Sequence, residues 1–176
     1  MNQGESTSSV RPTDAFKALG VPARFDLDGR HLRQALAQRL ARSHPDASGD
    51  SSASIDLNGA YRQIADPLGR AEELLRVFAA PEVDRKALPP GFLLEMMELR
   101  ERADAAAGDA AALRGLRVEA EAMRSDALER IRTAFASVTG ERITAEAAAE
   151  VACGINVVRS FDRMLEQLDR EGGALG

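Results

Sequence analysis

The chain has 176 residues, 44% of them apolar and 29% charged, enough for one medium domain or two small ones with modest cores. A net charge of −5 argues against a general nucleic-acid or anionic-membrane binder. One cysteine and two histidines exclude an internal disulfide, a Cys-rich zinc site and a His-rich metal cage.

Aromatic residues are scarce, so Ala and Leu must do most of the packing, and a chain rich in Ala, Leu, Glu and Arg favours helix. An all-α fold is therefore expected. Residues 1–12, MNQGESTSSVRP, are polar and read as a disordered tail without the apolar core of a secretory signal. No apolar run is long enough to span a membrane, and a cytoplasmic location is expected.

Thr13 and Asp14 predict a helix start, with Ala15 to Leu19 helical and Gly20 as the stop. After Val21-Pro22, either Asp26 or Asp28 is placed to cap a helix running to about Ser43, with Leu32, Leu36 and Leu40 as its buried stripe. Pro45 disfavours helical geometry at His44 and so ends it. A polar loop, ASGDSSAS, fills residues 47–54. Leu57, Tyr61 and Ile64 then fall on one helix face, and Asp66 caps a further helix with Pro67 in its first turn.

Residues 80–89, rich in proline, read as the linker between two units at 13–79 and 90–176. One helix is predicted from Pro90 to Ala107. After the Gly108-Asp109 break, another runs from Ala110 to Val138 with Leu113, Leu116, Ala120, Met123, Ala127, Ile131 and Phe135 on one seam. Thr139-Gly140 ends it. Thr144 starts a last helix to about Arg170, with Val151, Ile155, Val158 and Leu165 facing inward. Three antiparallel helices with short connections make a bundle.

His44-Pro45-Asp46 is the sharpest motif. It follows an Arg-bearing helix and precedes a second one, so a stiffened turn presents His44 and Asp46 to a partner. Arg33, Arg39 and Arg42 would steer that helix toward an acidic surface. Three residues alone also fit an ordinary capped turn. No paired carboxylates, nucleophile–base set or phosphate loop points to an enzyme.

The order of helix, tripeptide, loop and helix resembles the J-domain. Leu57-Asn58, Ala60-Tyr61, Asp66-Pro67, Arg70-Ala71-Glu72 and Leu74-Leu75 resemble one branch, the HscB-type co-chaperones of iron–sulfur cluster assembly. FLLEMMELRE at 92–101 is similar to the signature that opens the C-terminal bundle of that family. The resemblance implies an N-terminal J-domain helical hairpin plus a C-terminal three-helix bundle, with no cofactor or metal and no enzyme activity of its own. It implies two partners: a heat-shock-70-class chaperone (HscA/DnaK-type), touched through His44, Pro45, Asp46 and the arginines before them, and an iron–sulfur scaffold protein (IscU-type), held by the bundle.

The residues support a client surface independently. Phe92, Met96, Leu99 and Ala103 form a normal core stripe, whereas Leu93, Leu94 and Met97 fall off it, among Glu98, Arg100 and Glu101. These six match the positions by which the family holds its scaffold. Ser160 or Phe161 stands where the family places a further client-facing aromatic. The residues alone also fit a J-protein with a different client, or a helical interaction protein outside the chaperone class.

Overall fold

The computed structural model describes residues 14–42, 51–138 and 142–173, and all regular structure among them is helical. The expected tail at 1–12 lies outside that range. Seven helices follow in chain order: α1 (Ala15–Leu19), α2 (Gly29–Arg42), α3 (Ser51–Ala65), α4 (Pro67–Val77), α5 (Phe92–Ala105), α6 (Ala110–Ala136) and α7 (Ala145–Gly173).

The ends of these helices are set by local chemistry. Asp14 accepts from the Phe16 and Lys17 amides at the start of α1, and Gly20 closes it in the left-handed conformation at φ 70°. The Asp28 carboxylate accepts from the Arg30 amide at 3.1 Å, which selects Asp28 over Asp26 as the cap of α2. Asp66 caps α4 through the Gly69 amide at 2.7 Å, with Pro67 opening the helix. The Thr144 hydroxyl accepts from the Ala147 amide at the start of α7. One expectation fails here: α3 already begins at Ser51, so Ser51 to Ser54 belong to the helix and not to the loop. Small Ser and Ala residues fit a first helical turn as readily as a loop, so composition alone could not separate the two.

In the N-terminal unit, α3 packs against α1, α2 and α4. Phe16, Leu19, Leu32, Ile64 and Leu74 are its largest fully buried apolar side chains. Two charged residues are buried with them. Glu73 accepts from the Ala15 amide at 2.9 Å, from Gln63 at 3.0 Å and from Arg76 at 2.5 and 2.8 Å, tying α1 to α4. Arg70 donates to the carbonyls of Ile64 (2.7 Å), Phe25 (2.8 Å) and Ala65 (3.2 Å), so it binds the end of α3 to the segment before α2.

The C-terminal unit is built on the antiparallel pair α6–α7. Arg117 pairs with Asp169, Arg124 with Asp162 at 2.5 Å, and Ile131 meets Gly154. Each step of seven residues up α6 thus moves seven or eight down α7. The helices approach so closely that a Cβ at Gly154 would lie 2.7 Å from Ile131 Cγ1. The whole predicted seam of α6 is buried except Met123, which is half-buried. On α7, Val151, Ile155 and Val158 face inward as expected, but Leu165 is only half-buried. Met164 and Leu168 take the inner positions instead.

The two units share one continuous core. Phe25 stacks on Phe135 with ring centroids 5.7 Å apart, and Phe78 tilts against the same ring at 6.4 Å. Glu72 on α4 pairs with Arg159 on α7 at 2.5 Å. The proline-rich stretch before α5 is pinned to α7, where Asn156 donates to the carbonyls of Arg85 and Ala87. No helix among the described residues is long and apolar enough to cross a membrane.

Candidate interaction surfaces

α5 carries the first surface. Its core stripe is buried as expected: Phe92, Met96, Leu99 and Ala103. Phe92 meets Phe161 of α7 edge-to-face at 5.7 Å, fixing the start of the helix. Arg102 holds the far end through a bidentate pair with Glu119 of α6, at 2.8 and 2.6 Å. That hydrogen bond keeps the Glu119 carboxyl below its ordinary range.

With α5 clamped this way, Leu93, Leu94 and Met97 stay open at 66%, 60% and 57%. They are three of the four large hydrophobic residues exposed among the described residues, Val118 being the fourth. Glu98, Arg100 and Glu101 are exposed around them. A folded helix has no internal reason to leave such a strip in water, and exposed apolar patches rimmed by charge mark partner sites.

The Ser160/Phe161 position turns out differently from an exposed aromatic. Phe161 is 1% exposed beneath Phe92, and the Ser160 hydroxyl donates to the Asn156 carbonyl. The helix rotation that buries Phe161 leaves no aromatic beside the α5 strip at this point.

α2 carries the second surface. Arg33 and Arg42 are exposed, while Arg39 is half-buried with its guanidinium folded over Gly20. Of the expected stripe Leu32, Leu36 and Leu40, Leu32 is buried, Leu36 is half-buried against the core and Leu40 is half-buried near the end of the helix, so the buried face of α2 is narrower than its four-residue spacing predicts. His44, Pro45 and Asp46 lie outside the described residues, between the end of α2 and the start of α3.

Arg70 and Glu73 are the residues that sequence reasoning missed. Charged side chains usually read as surface, and their burial shows only in three dimensions. Burial pulls the Arg70 guanidinium below its ordinary pKa, opposed by the nearby carboxylates of Asp66 and Asp26.

Comparison with known proteins places this architecture. The family model described as the HSCB C-terminal oligomerisation domain matches residues 88–153. The co-chaperone protein HscB homolog of Bordetella petrii is 35% identical over 140 residues, which cover 73% of this chain and 80% of that one. Among solved structures, the chaperone HscB from Vibrio cholerae superposes with a TM-score of 0.72 at 28% identity, covering 92% of this chain and 99% of that one. Human co-chaperone protein HscB gives a TM-score of 0.72 at 23% identity, covering 90% and 82%, a likeness of fold. The all-α arrangement of a J-domain followed by a helical C-terminal domain is therefore that of HscB structures, and the chain belongs to the HscB family of co-chaperones.

Proposed function

We propose that this co-chaperone delivers an iron–sulfur cluster scaffold protein of the IscU type to an HscA/DnaK-type heat-shock-70-class chaperone and stimulates ATP hydrolysis there. The observation that carries the client half is the apolar strip of Leu93, Leu94 and Met97, left open on a helix that is clamped at both ends. Glu98, Arg100 and Glu101 supply a charged rim that sets the client's register.

His44, Pro45 and Asp46 carry the chaperone half, with the exposed Arg33 and Arg42 steering α2 toward an acidic surface. Arg39 contributes positive charge from its place over Gly20. The protein does no bond-making of its own: its work is to hold two partners in one complex, in the cytoplasm. The shared core around Phe135 gives the client a fixed position relative to α2.

The test is ATPase stimulation with single-residue variants. Removing one member of a hydrogen-bonded charge pair costs about 2–5 kcal/mol, so Asp46→Asn should nearly abolish stimulation. His44→Gln should leave the fold and scaffold binding intact. Loss of scaffold binding in His44→Gln would contradict the two-surface reading.

A further inference from the structure

The α6–α7 pair runs on past the start of α5, and a cleft of about 570 Å³ opens where the three helices part. Phe92, Met123, Ala127, Val157 and Phe161 make its apolar floor. Ala127, Cys153 and Gly154 are small, so neither long helix fills the gap with a side chain of its own.

The mouth is charged and unbalanced. Glu95, Asp126 and Glu150 stand around it with Arg130 as the single cation, and all four are exposed. Among the described residues none of the four is in an ion pair, although Arg117, Arg124 and Arg132 on α6 all are. An apolar floor below an acidic mouth suits a Lys or Arg side chain whose stem lies on the floor and whose head reaches the rim.

The cleft also continues the α5 strip. Phe92 of the floor directly precedes Leu93. At about 100° per residue, Glu95 sits roughly 100° round the helix from Leu94 and roughly 160° from Leu93 and Met97, so the mouth opens on the flank of α5, past the Leu94 edge of the strip. One partner lying along the start of α5 would cover both.

We propose that this cleft receives an apolar segment bearing a Lys or Arg from the same client that covers Leu93, Leu94 and Met97, an assignment that rests on the client role proposed above. The interface then has two parts, an apolar strip and an acidic-mouthed cleft that selects clients with a basic segment.

The test uses the full chain and the purified cluster scaffold. Reversing the rim with Asp126→Lys and Glu150→Lys should weaken binding roughly tenfold. The control pair Glu82→Lys and Glu166→Lys, also exposed and equal in net charge change, should leave binding within twofold. Cys153 is the only cysteine of the chain, so its alkylation by iodoacetamide, followed by mass spectrometry of its peptide, reports on the cleft without any mutation. Saturating scaffold should slow that alkylation several-fold.

Rim variants that bind like the control pair, with unchanged alkylation of Cys153, would overturn the cleft while leaving the strip in place. Protection of Cys153 that grows with the concentration of this chain alone would assign the cleft to a second copy and equally overturn it. A wild-type chain that binds no scaffold would remove the client reading itself, and the cleft with it.

Discussion

Replacing Leu93 and Met97 by Ser tests the α5 strip where its effect is largest. Both side chains are more than half exposed in the free protein, so their apolar area is still available for a partner to bury. Full burial of a Leu or Met side chain is worth about 1.5–3 kcal/mol. With 66% of Leu93 and 57% of Met97 open, the double variant should lose about 2–3 kcal/mol of client binding, a roughly 30- to 150-fold rise in Kd. Isothermal titration of purified scaffold into the full chain measures this directly. Because neither side chain belongs to the core, helical circular dichroism and the unfolding midpoint should stay near wild type. An affinity unchanged within twofold would refute the reasoning, and so would a large fall in stability, which would mean the strip packs inside the protein.

Arg70→Met should destabilise the protein by about 3 kcal/mol, because it strips the charged donor from three backbone carbonyls. Urea unfolding followed by circular dichroism checks it, and a change under about 0.5 kcal/mol would contradict the role given to that network. Acid should weaken the start of α6. The amides of Ala112 and Ala111 hold the Asp109 carboxyl below its ordinary value of 3.8. A folded-state pKa below the unfolded one gives stability that is fully present above the unfolded value and is lost as pH falls through the folded one. Asp109→Ala should therefore be less stable than wild type at neutral pH, and the difference should fade as the pH falls below the ordinary carboxyl value of 3.8 and the Asp109 carboxylate takes up its proton. A gap of constant size across an acid titration of the unfolding midpoint would contradict this.

Much of this architecture is legible in the sequence because the signals are local. Asp14 and Gly20 bracket α1, Asp66-Pro67 separates α3 from α4, and Gly108-Asp109 separates α5 from α6. The α5 strip is legible too: Leu93, Leu94 and Met97 fall off a stripe that Phe92, Met96, Leu99 and Ala103 already complete. What fails is long-range. A seven-residue step from Val158 points to Leu165, but Phe161 of α7 packs against Phe92 of α5 and turns the buried face of the helix toward that neighbour. By the end of α7 the inner face has moved to Met164 and Leu168. No pattern in sequence reveals that Arg70 and Glu73 are buried, since their partners lie across the unit in Phe25 and Ala15. The shared ring stack of Phe25, Phe78 and Phe135 joins residues more than fifty positions apart and is visible only once the two units dock.

Single-turnover ATP hydrolysis by the chaperone, with this protein and the cluster scaffold present separately and together, tests delivery most directly. Wild type should accelerate hydrolysis alone and accelerate it further when scaffold is added. Leu93→Ser with Met97→Ser should keep the first effect and lose the second. Equal synergy in wild type and that double variant would contradict the claim that one molecule holds client and chaperone at the same time.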